Sequence, residues 1–140
     1  MKNKDIKFYF AGSIRGGRDK LDIYKAMNEM LEEYGEVLDK HVARSDVDNL
    51  EQDYSKEFIY QRDMEWILES DILIAEVSQP SLGVGYEIGY AEKHQKPIIA
   101  FCEQDINLSR MISGNPNVKT IYYRGKTDLL QKLEEVLKAI

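Results

Sequence analysis

Cysteine is almost missing from this 140-residue chain. Cys102 stands alone, so no intramolecular disulfide can form, and a reducing, cytoplasmic setting is the expectation. No apolar run approaches the roughly 20 residues that a bilayer span needs, which predicts a protein that neither crosses nor anchors to a membrane. The opening Met1-Lys2-Asn3-Lys4-Asp5 leads into only a short apolar stretch and does not read as a signal peptide. Positive charge is in deficit, with 19 Lys and Arg against 25 Asp and Glu for a net charge of −6. That balance argues against a broad nucleic-acid surface, so no nucleic acid polymer is expected as a partner. A small phosphate pocket built from one or two basic residues stays open. Repeats, low-complexity tracts and linkers are absent as well, and residues 1–140 read as a single domain. With 43% hydrophobic residues, a chain of this length buries roughly two thirds of its unfolded surface, enough for one core without metals or disulfides.

What is present alternates strand and helix. Lys7-Phe8-Tyr9-Phe10-Ala11 is an aromatic-rich run ended by Gly12-Ser13 and predicts a buried strand entering a turn. From Asp19, Ile23, Met27, Met30, Leu31 and Tyr34 fall at helical spacing, and Gly35 stands where a left-handed cap belongs. Val37-Leu38 with Val42 predicts a second strand. Asp46-Val47-Asp48-Asn49 reads as a polar connection, followed by one long amphipathic stretch from Tyr54 to Leu68. Asp71 to Val77 is the best strand in the sequence. A loop from Ser78 to Gly83, a helix over about Val84 to His94, and strands at Pro97–Phe101 and Lys119–Tyr123 follow, and a helix carrying Leu129, Leu130, Leu133, Val136, Leu137 and Ile140 closes the chain. Five strands alternating with helices predict a doubly wound, flavodoxin- or Rossmann-like α/β domain: a parallel sheet in the order 2-1-3-4-5 with helices on both faces.

Ligands of such sheets bind beyond the carboxyl ends of the strands where the strand order reverses, here between the first and third strands. Two loops therefore matter. Gly12-Ser13-Ile14-Arg15-Gly16-Gly17-Arg18 joins glycines, a hydroxyl and two guanidinium groups at a helix start, a combination suited to a phosphate, although a turn with solvated arginines has the same composition. It lacks the P-loop pattern. Gly83-Val84-Gly85-Tyr86-Glu87-Ile88-Gly89 nearly matches the dinucleotide fingerprint, but with one residue too many, after the wrong strand and without the acidic partner about 20 residues on, so NAD is not expected.

Two carboxylates sit in surroundings too apolar for solvated side chains. Glu87 has Val84, Ile88, Tyr90 and Ala91 around it at helical spacing, early in a helix whose dipole favours the ionised form; an ionised carboxylate in a cleft can act as a nucleophile. Asp63 has Ile59, Tyr60, Trp66 and Ile67 as neighbours, and burial there raises a carboxyl's pKa as an acid catalyst requires. A carboxylate pair in opposite protonation states is the arrangement that cleaves glycosidic bonds. Helix capping, or pairing with Arg62 or Lys93, explains the same pattern without catalysis. His41 follows a strand end and reads either as a cleft residue or as an ordinary hydrogen-bonded histidine; His94 suits a helix C-terminus. No cluster has metal-ligand spacing.

Tyr9-Phe10-Ala11-Gly12-Ser13-Ile14-Arg15-Gly16-Gly17-Arg18 and Ala75-Glu76-Val77-Ser78-Gln79-Pro80-Ser81-Leu82-Gly83-Val84-Gly85-Tyr86-Glu87 resemble the two signatures of the nucleoside 2-deoxyribosyltransferase superfamily, in its branch of 2'-deoxynucleoside 5'-phosphate N-hydrolases. The resemblance extends to Gly35-Glu36-Val37-Leu38, His41-Val42-Ala43, Arg62-Asp63 and Ser109-Arg110-Met111-Ile112. It implies that Glu87 is the nucleophile forming a glycosyl-enzyme at C1', that Asp63 protonates the departing base, that Tyr9 stands beside the nucleophile, and that His41 lies near sugar and base. It places the phosphate on Ser13, Ile14, Arg15 and Gly16 of the first loop and on Ser81 and Gly83 of the second, with Gly12 also among the substrate-binding residues. Ser109 matches a serine supplied by a neighbouring subunit, which implies a homodimer with shared sites.

Ser81 favours a phosphorylated substrate, because relatives acting on unphosphorylated nucleosides tend to carry an aspartate there, and a carboxylate beside a phosphate dianion is repulsive where a hydroxyl donates. The expected function is hydrolysis of 2'-deoxynucleoside 5'-monophosphates to free base and 2-deoxyribose 5-phosphate, with no metal or organic cofactor. Base exchange by a nucleoside 2-deoxyribosyltransferase needs the same residues and is the alternative. A nucleotide-binding module without chemistry is the rival from another class.

Overall fold

The computed structural model describes residues 5–13 and 20–140. Strands β1 (Lys7–Ala11), β2 (Glu36–Val37), β3 (Ile72–Glu76), β4 (Ile98–Glu103) and β5 (Val118–Tyr123) form one sheet in the order β2-β1-β3-β4-β5, with every neighbouring pair parallel. Parallel neighbours need crossovers. Helices α1 (Leu21–Tyr34), α2 (Val47–Glu51), α3 (Lys56–Glu69), α4 (Leu82–Lys93), α5 (Arg110–Ser113) and α6 (Gly125–Lys138), with a tight 3-10 turn at Lys40–Ala43, lie in the connections and after β5. The doubly wound α/β architecture and its strand order are those the sequence predicts.

The period of two along a strand divides the core into two halves. Phe8, Phe10, Ile72 and Ile74 pack with α1 and α6, whereas Tyr9, Ala11, Leu73 and Ala75 face α3 and α4. β3 is buried at all five positions, as expected for a strand covered on both faces, and each fully buried large apolar side chain contributes about 1.5–3 kcal/mol. The same alternation sends Tyr9 towards α4.

Local details differ from the sequence reading. β2 is only Glu36–Val37, and Val42 belongs to the 3-10 turn, because Asp39 intervenes. The Asp39 side chain accepts the Phe10 amide at 2.8 Å, taking over a hydrogen bond that a longer β2 would have made. Gly35 is extended (φ −173°) rather than left-handed; a Cβ there would lie 2.4 Å from the Ile6 carbonyl oxygen, so close approach of the chain, not a cap, demands glycine. The polar segment after Asp46 folds into α2, and the long amphipathic stretch starts only at Lys56, where the Ser55 hydroxyl accepts the Phe58 amide at 3.0 Å.

The carboxyl ends of β3, β4 and β5 are laced together by a buried carboxylate. Glu76 accepts from the Ser78 amide at 3.0 Å, the Ser78 hydroxyl at 2.6 Å and the Tyr123 hydroxyl at 2.6 Å. Ser78 Oγ in turn accepts the Glu103 amide at 2.7 Å, and Lys20 is ion-paired with Glu103. This network fixes the start of the loop that leads into α4.

Candidate active site

A cavity of about 900 Å³ opens beyond the carboxyl ends of β1 and β3, where the strand order reverses. Tyr9 rises from β1 and Glu87 descends from the second turn of α4, and the phenol donates a short hydrogen bond to Glu87 Oε2. Asp63, from α3, lines the same cavity. Burial pushes the Glu87 carboxyl up to about 8, against the pull of the Tyr9 hydroxyl and with the help of the charge on Asp63. Burial likewise raises Asp63, with Arg62 working against it. Desolvation thus works against the helix dipole expected to hold Glu87 ionised, while the Tyr9 hydrogen bond and, more weakly, the Arg62 charge favour its anion. Burial, and next the neighbouring Glu87 charge, push the Tyr9 hydroxyl well above its ordinary value, so it stays a donor.

Behind Asp63 lies a cluster in which the expected pairing with Arg62 is present and His41 takes part, joined by Glu51, which sequence reasoning did not find. Arg62 Nε donates to Asp63 Oδ1 at 3.0 Å while Arg62 Nη2 donates to Glu51 Oε2 at 2.6 Å. His41 Nε2 lies 3.1 Å from the same Glu51 oxygen, and the hydrogen bonds of His41 and then Arg62 hold Glu51 down to about 2. Trp66 forms the floor, with the guanidinium 4.7 Å from its ring centre and the His41 ring at 5.7 Å. Nothing in the spacing of Glu51, at the end of a five-residue helix, marks it in the sequence. Asp39 is the other unforeseen carboxyl: burial drives it well above its ordinary range despite the Phe10 amide, and the charges of Glu87 and Asp63 push it further.

The opposite wall carries the second loop. Ser81 caps α4, its Oγ accepting the Val84 amide at 3.2 Å, which leaves the hydroxyl proton for an anion at the helix start. Gly83 and Gly12 also border the cavity; a Cβ on Gly12 would come within 3.2 Å of Tyr24 and Val42. The Ser13 amide donates to the Tyr24 hydroxyl at 3.0 Å, and its buried side chain does not line the cavity. Ile14, Arg15 and Gly16 lie outside the described residues. Ser109, exposed at the start of α5, stands on the rim of this chain's own cavity. The structure therefore gathers Tyr9, Gly12, His41, Asp63, Ser81, Gly83, Glu87 and Ser109 around one space. Among the described residues, no group of three His, Cys, Asp or Glu side chains could hold a metal ion.

The sequence pattern of the nucleoside 2-deoxyribosyltransferase family matches residues 8–123, which takes in every site residue named above. The chain belongs to this family. A 5-hydroxymethyl-dUMP N-hydrolase of Esox lucius is 47% identical over 114 residues, 78% of this chain and 79% of the relative. A protein of Methanosarcina barkeri, provisionally named 2'-deoxynucleoside 5'-phosphate N-hydrolase 1, is 42% identical over 99% of this chain and 89% of its own length. Among solved structures, a CMP N-glycosidase of Clostridium botulinum superposes with a TM-score of 0.65 at 23% identity, covering 93% of this chain and 98% of that one, and shares the fold. As a member of the nucleoside 2-deoxyribosyltransferase family, the chain carries its paired carboxyls on α3 and α4, either side of the reversal in strand order.

Proposed function

We propose that this N-glycosidase hydrolyses 2'-deoxynucleoside 5'-monophosphates to free base and 2-deoxyribose 5-phosphate through a glycosyl-enzyme on Glu87. The observation that carries the reading is the Tyr9 hydroxyl bonded to Glu87 in a cavity shared with Asp63. Asp63 in its protonated form gives its proton to the base as the C1'–N bond breaks, and a Glu87 carboxylate oxygen forms a bond to C1'. Water then adds to C1', the ester to Glu87 breaks, and Asp63 takes the proton of the water. Two displacements give net retention. The Tyr9 hydrogen bond favours the anion that attacks, offsetting part of the desolvation that opposes it. Ser81 and the start of α4 receive the 5'-phosphate.

The working unit is a homodimer. Leu82 and Met111 are 97% and 83% exposed at the cavity rim, and Tyr60 and Tyr86, their hydroxyls 3.3 Å apart, extend an apolar surface that a second copy would cover. Mixing Ser109→Ala chains with Glu87→Ala chains restores activity above either variant if Ser109 serves the other protomer's site; no rescue refutes that sharing.

The deciding experiment is chromatography of the purified protein incubated with each 2'-deoxynucleoside 5'-monophosphate, the matching nucleosides and the ribonucleotides, with and without a free base. Release of base from deoxynucleotides alone is expected. Incorporation of the added base would replace hydrolysis with deoxyribosyl transfer, and no reaction with any of them would refute the substrate class.

A further inference from the structure

We propose that Glu51 is a positioning residue for Asp63: it engages one end of the Arg62 guanidinium whose other end holds Asp63 Oδ1, and so leaves Oδ2 to carry the proton that the departing base takes. The inference rests on reading Asp63 as the general acid. A lone arginine hydrogen-bonded to a carboxyl makes that carboxyl a poor proton donor, because the cation favours the anion. In this site the cation is shared. The 2.6 Å contact to Glu51 is shorter than the 3.0 Å contact to Asp63, and Glu51, with 5% of its side chain exposed, is kept ionised by His41 and Arg62 together. Its negative charge opposes ionisation of Asp63. Asp63 Oδ2 makes no hydrogen bond to any described residue, and Asp63 borders the cavity.

The groups facing Asp63 come from several elements: Tyr9 on β1, Asp39 and His41 after β2, Glu51 on α2, its own neighbour Arg62, and Glu87 on α4. Arg62 is the nearest cation among them, and among the described residues only Glu51 forms a direct ion pair with it besides Asp63 itself. Trp66 packs against the guanidinium, its ring centre 4.7 Å from Arg62 Cζ, and so favours the position between the two carboxylates.

Two substitutions in the same cluster should move Asp63 in opposite directions. Glu51→Gln leaves Arg62 to Asp63 alone and lowers the midpoint at which the Asp63 carboxyl titrates; Arg62→Gln removes the cation and raises it. Carboxyl-carbon NMR of the full-length protein, with the Asp63 signal assigned through Asp63→Asn, reads both without any substrate. With deoxynucleotide substrate, Glu51→Gln should bring the alkaline fall of kcat to lower pH and cost roughly ten-fold in kcat on that limb, part of the 10²–10⁴-fold that a general acid supplies, with KM little changed. Glu51→Asp should restore part of the loss. Midpoints that stay put, or that move the same way in both variants, would overturn the proposal even if the wild type hydrolyses nucleotides. Opposed midpoint shifts in a protein that hydrolyses nothing would uphold the coupling and refute the assigned reaction instead.

Discussion

Replacing Glu87 by glutamine should make the protein more stable at alkaline pH, and the size of the gain follows from where the side chain is placed. Burial raises its carboxyl from 4.5 to about 8, so the native state binds a proton that the unfolded chain has already lost over that interval. The Glu87 contribution to stability therefore falls as pH rises from about 4.5 to about 8 and is level outside that window, because the derivative of the unfolding free energy with pH has the sign of protons bound unfolded minus protons bound native. At 1.36 kcal/mol per unit the full span corresponds to about 5 kcal/mol, an upper bound because the side chain keeps partial contact with solvent. That is a large share of the roughly 5–15 kcal/mol that holds a domain together. Glutamine keeps the shape and accepts from Tyr9 but cannot ionise. Urea unfolding of wild type and Glu87→Gln between about pH 5 and about pH 9 tests this. The wild-type curve should fall away from the variant's as pH rises, while Asp39 and Asp63, both raised by burial, leave a shared residual slope. Two proteins that lose stability in parallel would refute the placement of Glu87 in a desolvating site.

Tyr9→Phe removes the donor that favours the Glu87 anion, so kcat should fall roughly ten- to hundred-fold, the worth of a hydrogen bond to a charged group, and the rising limb of the pH profile should move to higher pH in steady-state assays. Ser81→Asp keeps a helix cap but adds a charge beside the phosphate, so KM for nucleotides should rise by about ten-fold or more while the matching nucleosides are spared, a comparison read from paired kinetics. Gly35→Ala forces a methyl against the Ile6 carbonyl and should cost about 1–3 kcal/mol in denaturant unfolding without changing KM; an unaltered midpoint would show that β1 and α1 can move apart.

The fold was legible because its signals are periodic. β3 is an unbroken apolar run and α6 a clean amphipathic stripe, and parallel pairing with short connections leaves few topologies for five such strands. Asp63 and Glu87 were legible as charges set among apolar neighbours. What escaped notice depends on tertiary placement: α2 looks like polar connection, and Glu51 acquires meaning only when the chain folds it onto Arg62 and His41, 11 residues and about as many in the opposite direction along the sequence. The early break in β2 escaped for a similar reason, since a side chain, Asp39, replaces a backbone partner. The desolvation that opposes ionisation of Glu87 went unseen because a helix dipole is visible in sequence whereas the depth of a cavity is not.

The alternation along β1 makes chemistry hostage to counting. Phe8 and Phe10 on one face, Tyr9 and Ala11 on the other, differ from their neighbours by a single step along the strand. A substitution within Lys7–Ala11 perturbs one of the two half-cores, but a single inserted or deleted residue would turn a phenylalanine towards Glu87 and drive the phenol into the apolar layer under α1 and α6. Evolutionary drift in this segment is therefore confined to exchange of side chains, and an engineer wishing to lengthen the strand must do so two residues at a time.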